Sequence, residues 1–249
     1  VPIALDAVRS GKDVYVEKPM TLTIREGRVL ADVVRRHGRV LQVGSQQRSS
    51  GAFRKAAEMV RNGWIGKIHT VYVRLGTFPP GRVLPEEPVP EGFDYERWLG
   101  STPWFPYNAF RVSGSYAGGW RCYWEYGSRK NGDWGAHHYD IVQWALGMDH
   151  SGPEFFFPAG HEGSDWMGYR YAEGPTIYRD RKGRTNEMIE FHGEKGMVAV
   201  SRGEQLVSDP PELKNRPLTP ADEHLYESYN HRQDFFDCVR TRKRPIADV

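Results

Sequence analysis

The sequence predicts an α/β layout at its start and an α+β layout over the remainder, and two observations carry this. Up to about residue 65, segments with apolar residues at helical spacing alternate with short apolar strands. From about Lys67 the period drops to two, with Val71, Val73 and Leu75 alternating in "IHTVYVRLGTF" as on a half-exposed strand. The expected division is therefore a first domain over 1–65 and a second over 66–249.

In the first part, Ala4, Leu5 and Val8 mark a helix over 2–10 that Gly11 ends. A strand at 14–16 follows. Thr23 and Glu26 form a capping-box pattern for a helix to about His37, which Gly38 closes, and "RVLQVG" at 39–44 reads as a second buried strand. Phe53, Ala56, Ala57 and Val60 share one face of a third helix that ends at Gly63. Short links between such elements imply parallel strands covered by helices. Two strands are too few for a complete doubly wound sheet, so the expectation is an incomplete one with an unpaired edge. No G-x-G-x-x-G follows either strand.

In the second part, a strand over 68–78, strands near 154–158 and 169–178, and a hairpin over 186–201 turning at Glu194-Lys195-Gly196 predict a mostly antiparallel open sheet. Residues 79–131 are rich in Pro, Gly and aromatics and carry little regular pattern. Stretches of that length usually serve function, and rings beside polar groups suit a sugar or polyol as well as they suit core packing.

Composition excludes several classes. The 34 basic and 32 acidic residues leave a net charge of +2, which gives no global reason to expect nucleic acid; "RTRKRP" at 240–245 reads as a solvated helix end. No apolar run approaches the roughly 20 residues a membrane helix needs, so a globular protein without a membrane partner is expected. Cys122 and Cys238 have no metal-type spacing, which points to a reducing, cytoplasmic setting.

Two stretches carry chemistry. "DVYVEKPMTL" ends a buried strand on Glu17 and Lys18 directly before Pro19, and "NGDWGAHHYDIVQWALGMD" places Asp133, His137, Asp140 and Trp144 on one helical face if the helix begins near Asp133. An Asp one turn before a His can orient the imidazole for general-base work. Equally, an Asp at a helix start is favoured by the helix dipole.

Taken together, "EKP" and "DWGAHHYD" resemble the glucose–fructose oxidoreductase, inositol dehydrogenase and MocA family, and the resemblance extends over nearly the whole chain. "ERWLG", "PW" at 103–104 and "DIVQWALGMD" resemble a sugar-processing branch. The resemblance implies a Rossmann-type parallel sheet, present here as an incomplete remnant, followed by a substrate-binding and oligomerisation domain. It implies NAD or NADP as hydride acceptor and a carbohydrate or polyol as substrate. Lys18, Asp133 and His137 become the catalytic candidates, with the Lys18 cation stabilising an alkoxide and Pro19, often cis in this family, fixing its backbone. Glu17, Pro19 and Gln46 are assigned to the cofactor side, and Arg48, Trp120, Arg121, His138 and Asp140 to the substrate side.

The departure from the family is at the start. The glycine loop that cradles the pyrophosphate is not among these residues, so the chain is expected to bind NAD or NADP poorly and to be impaired as an enzyme. Two alternatives stay open: a divalent metal held by His137, His138 and carboxylates for lyase or hydrolase chemistry, or a non-catalytic carbohydrate-binding or assembly module. Neighbouring histidines on a helix point about 100° apart, which disfavours one ion taking both. The family pairs subunits through the open sheet, which implies a homodimer or a higher homo-oligomer.

Overall fold

In the computed structural model, which describes residues 1–114 and 118–249, the first elements follow the sequence reading. Helix α1 (Pro2–Arg9) starts on a proline, whose missing N–H is an orphan at that position anyway. Strand β1 (Val14–Val16) pairs in parallel with β2 (Leu41–Val43), register Val14 to Leu41. Between them, α2 (Ile24–Arg36) carries the expected capping box: Thr23 Oγ1 accepts from the Glu26 N–H at 3.2 Å, and Glu26 Oε2 accepts from the Thr23 N–H at 3.0 Å. Gly38 ends α2 at φ 57°, and Gly63 ends α3 (Gly51–Arg61) at φ 64°, the left-handed conformation that glycine adopts without steric penalty. Val8, Leu30, Val34 and Leu41 form the small core of this portion.

The far edge of β2 is not left open. The Val43 N–H donates to the Ala247 carbonyl at 2.9 Å, and Gln42 bridges Asp248. Val249 packs into the same core, its carbonyl accepting from Arg35 Nη2 at 2.9 Å, while Arg242 forks onto Asp13 at 2.8 and 2.9 Å.

Strand β3 (Ile68–Val73) is shorter than expected and leads into a separate compact unit, Gly76–Gly135. This unit holds the stretch that lacked regular pattern, of which residues 115–117 lie outside the described residues. Its helices are single turns or little more: α4 (Tyr95–Leu99), α5 (Ala109–Val112) and α6 (Trp124–Gly127), with a 3₁₀ turn at Gly119–Cys122 and a π-helical turn at Asn131–Gly135. Two aromatic clusters take the place of a layered core, one around Phe78 and Tyr123, the other around Tyr95 and Tyr107.

The other unit, Val1–Leu75 with Ala136–Val249, resumes at α7 (Ala136–Ala145). Strands β4 (Phe155–Phe157), β5 (Gly168–Arg170), β6 (Thr176–Arg179), β7 (Ile189–Gly193), β8 (Gly196–Ser201) and β9 (Gln205–Asp209) join β3 in a seven-stranded sheet of order β4-β5-β6-β3-β7-β8-β9. Every pairing is antiparallel except β3 with β6. The single strand expected over 169–178 is two strands, β9 was not anticipated, and of α8 (His231–Thr241) only the end, at "RTRKRP", was. One face of the sheet is apolar and fully buried, with Val71, Val73, Ile177, Ile189, Phe191, Val198 and Val200 at 0 % exposure under α3 and α7. The other face carries Tyr72, Tyr178 and His192, with Glu190 folded beneath the turn at 183–185. Among the described residues no helix is long and apolar enough to cross a membrane.

Candidate active site

The strand ends β1 and β2 present the first group. After β1 the chain runs through Glu17 and Lys18 into Pro19, with the Lys18–Pro19 bond cis. The Gln46 amide reaches back to Glu17 Oε1 at 3.2 Å and to the Tyr15 hydroxyl at 3.4 Å. A Cβ on Gly44 would stand 2.5 Å from Glu17 Oε2, so glycine is what lets that carboxylate lie across the end of β2. Tyr15 packs edge-on against His231 and Phe235 of α8, and burial pushes its phenol up, so it stays protonated.

His231 ties this corner together. Its Nε2 donates to the Val43 carbonyl and its Nδ1 accepts from Ser49 Oγ, both at 2.9 Å, while its own carbonyl accepts from Gln42 Nε2 at 2.6 Å. Burial holds the ring below its ordinary pKa, in keeping with a neutral, structural histidine.

Helix α7 supplies the second group. His137 is 5 % exposed, and its Nδ1 is buried without a hydrogen-bond partner. Burial first, then the charges of Lys18 and Arg202, lower its pKa to about 3. The imidazole is therefore neutral through the physiological range. His138 turns elsewhere: its Nδ1 donates to the Arg74 carbonyl at 2.9 Å, at the end of β3. Asp140 faces Arg48, which gives it Nε and Nη2 at 2.9 Å each and extends Nη1 and Nη2 to Asp149 at 3.2 and 2.8 Å. The guanidinium also lies 5.4 Å from the centre of the Trp144 ring, so η1 (the 3₁₀ turn Gln46–Ser49) and α7 are clamped by one arginine.

The remaining candidates belong to the Gly76–Gly135 unit. There, Arg121 Nε stands 3.6 Å from Asp133 Oδ1, its guanidinium lies 4.3 Å from the Trp120 ring centre, and its Nη1 donates to the Gly114 carbonyl at 2.8 Å. Asp133 sits in the π-helical turn, so the α-helical face expected from residue 133 is realised only from Ala136 onward. Among the described residues no three His, Cys, Asp or Glu side chains converge as a metal-binding group, which leaves the divalent-metal alternative without a ligand set there.

Sequence reasoning missed Tyr15, Gln47, Arg202 and His231. Tyr15 looks like any strand residue, and Arg202 and His231 reach the corner from strands and helices far along the chain. Gln47 had a signal, as the second glutamine of "VGSQQR".

Comparison with known proteins identifies relatives of both parts of the chain. Residues 77–247 match the oxidoreductase family, C-terminal alpha/beta domain, and residues 1–45 match the oxidoreductase family, NAD-binding Rossmann fold. The boundary expected at 65/66 falls in the stretch between the two matches. An uncharacterized oxidoreductase of Bacillus subtilis, YrbE, is 30 % identical over 38 % of this chain and 25 % of its own. The scyllo-inositol 2-dehydrogenase (NAD(+)) of the same organism is 35 % identical over 25 % of this chain and 18 % of its own. Each match thus spans a quarter or less of the curated relative. Among solved structures, the aldose-aldose oxidoreductase of Caulobacter crescentus complexed with glycerol superposes at TM-score 0.57 and 18 % identity, covering 99 % of this chain and 68 % of that one. The WlbA dehydrogenase of Bordetella pertussis, in complex with NADH and UDP-GlcNAcA, gives 0.56 and 17 % over 98 % and 66 %. At these identities the structures establish the fold: a short parallel sheet of Rossmann type followed by an α/β domain. With more than half its length matched by the C-terminal family pattern and its start by the Rossmann one, the chain belongs to the glucose–fructose oxidoreductase, inositol dehydrogenase and MocA family of oxidoreductases.

Proposed function

We propose that this chain carries the substrate side of a nicotinamide-dependent oxidation of a sugar or polyol hydroxyl. The observation behind it is the buried, neutral His137 with an unpartnered Nδ1, within the electrostatic reach of Lys18. A carbinol bound there would find the Lys18 ammonium stabilising negative charge on its oxygen and the imidazole ready to take the hydroxyl proton. The naming of inositol and aldose oxidoreductases among its relatives supports this substrate class.

The residues fit the nicotinamide end of a cofactor: at the strand ends Gln46 offers an amide beside Glu17. Glu17, Pro19 and Gln46 would hold that end, and bound NAD or NADP supplies the hydride acceptor. The β1–α2 turn, residues 17–23, contains no glycine, so it offers no phosphate cradle. We expect cofactor affinity well weaker than micromolar for this chain, and titration calorimetry showing micromolar binding would overturn that expectation.

In this reading Arg48 and Asp140 position α7 against η1, and Asp133 holds Arg121 beside Trp120 in the second unit. We also retain 1–65 and 66–249 as the functional division, a cytoplasmic setting, and a homodimer through the face bearing Tyr72 and Tyr178. The test of the site is ligand-detected: added scyllo-inositol or glucose should shift the His137 ring signals in NMR. At high NAD, any turnover should fall by about a hundredfold or more in Lys18→Ala and in His137→Ala. Turnover surviving both, or His137 signals indifferent to both ligands, would sink the reading.

A further inference from the structure

The Gly76–Gly135 unit buries a cation that no carboxylate of the described residues pairs with. Arg111, in α5, is only 6 % exposed, and its Nε is sealed from solvent without a hydrogen-bond partner. Nη1 reaches only the Tyr126 hydroxyl, at 3.5 Å. Nη2 has no hydrogen-bond partner among the described residues either, but unlike Nε it is not closed off from solvent. Glu87, the acid held against the start of α5, is already engaged: its Oε1 accepts from Asn108 Nδ2 at 2.9 Å and its Oε2 from the Ala109 N–H at 2.8 Å.

Taking a guanidinium out of water is costly unless an anion or other acceptors replace the lost hydration. Aromatic rings supply part of the compensation. The Arg111 Cζ lies over the Tyr123 ring at 4.5 Å and over the Phe105 ring at 4.9 Å, both within cation–π range. A ring face attracts the charge, but it gives the N–H groups nothing comparable to a carboxylate oxygen. The arrangement therefore lacks a negatively charged oxygen acceptor, and Nη2 is the nitrogen that one can reach.

The neighbouring cavity indicates what could carry that oxygen. Tyr126 lines it together with Trp98, Leu99, Thr102 and Trp120, and its volume of about 240 Å³ is just under the roughly 300 Å³ at which drug-sized sites begin. That is room for one sugar ring. Two indoles and a phenol offer flat apolar walls to its C–H face, and Thr102 Oγ1, which donates to the Leu99 carbonyl at 2.7 Å, keeps its lone pairs for a ligand hydroxyl. Arg111 is not in the lining; it meets the cavity through Tyr126, whose hydroxyl it touches and whose O–H can donate to the same acceptor. We propose that the Tyr126 hydroxyl and Arg111 Nη2 together take the carboxylate of a sugar acid, whose ring stacks on these aromatic walls. The site lies wholly within one unit and requires neither Lys18 nor His137.

The experiment follows the Arg111 guanidinium and the Trp98 and Trp120 indole N–H signals by NMR in the whole chain, with glucuronate, galacturonate, glucose, acetate and phosphate as separate probes. At least one uronate is expected to move Arg111 and an indole together, and to bind at least tenfold tighter than either glucose or acetate. In Arg111→Met that uronate and glucose should bind within twofold of each other. If acetate or phosphate matches both uronates and leaves the indoles still, the site reads charge alone and the sugar acid is refuted. If no probe moves Arg111, the anion site itself is refuted, whatever happens at His137. Should Arg111→Met fail to fold, Arg111→Lys keeps the charge and loses the planar fork. Its uronate affinity should fall about tenfold, and an affinity within twofold of the unaltered chain would overturn the proposal.

Discussion

Lowering the pH should expose His137 as a stability liability, with a size set by its surroundings. In the folded chain, burial together with Lys18 and Arg202 holds its pKa at about 3, against an ordinary 6.5 in the unfolded chain. Between those values the unfolded state binds the extra proton, so the stability that depends on a neutral His137 is complete above pH 6.5 and is lost as pH falls toward 3. At about 1.36 kcal/mol per pH unit, the loss by pH 4 is roughly 3 kcal/mol. The assay is urea denaturation of wild type and His137→Gln at pH 7.5, 5 and 4, alongside NMR titration of the His137 ring. The two proteins should converge or cross as pH drops, the glutamine variant losing roughly 3 kcal/mol less. Equal pH dependence in both, or a His137 midpoint near 6, would refute the argument. Replacing Lys18 with methionine should move that midpoint upward, since one of the repelling charges is gone.

Other perturbations separate positioning from chemistry. Arg48→Ala leaves Asp140 of α7 without its cation, and breaking a buried pair in this way should destabilise by about 3–5 kcal/mol, read by chemical denaturation; a loss below 1 kcal/mol would show the clamp to be solvated. Gly44→Ala should push the Glu17 carboxylate off Gln46 with little loss of stability, because the obstructing atoms are the end of a flexible side chain; an unchanged Gln46 amide signal in NMR would contradict this. Light scattering after size exclusion should return twice the chain mass, and a monodisperse monomer would exclude the Tyr72 and Tyr178 face as a pairing surface.

Much of this fold was legible because local signals agreed with one another. The Thr23–Glu26 box, the glycines at 38 and 63, and the alternation of Val71 and Val73 each specified an element that packing then used. Strand β9 was hidden because "QLVSD" follows a turn at Glu204 and buries little besides Ser208. The body of helix α8, whose end at "RTRKRP" was expected, was hidden because "HRQDFFDCVRT" has a weak apolar stripe, its buried members being His231, Asp234 and Cys238. At the site, the family resemblance carried by "EKP" and "DWGAHHYD" made Lys18 and His137 candidates. It could not show that Arg48 and Asp140 would grip each other, since they are 92 residues apart and each on its own resembles a free ligand-binding charge.

The return of residues 247–249 to the first strands has a consequence for how the molecule is made. Arg242 and Asp13 are separated by 229 positions, and Arg35 and Val249 by 214. As the ribosome delivers the chain, β1 and β2 emerge about 200 residues before the backbone groups that seal β2. The seven-stranded sheet can assemble in the interval, while the parallel pair β1–β2 waits with the outer edge of β2 uncovered. Contacts of such long range are slow to close, so the corner that holds Lys18 should mature late, only after residues 242–249 have been made.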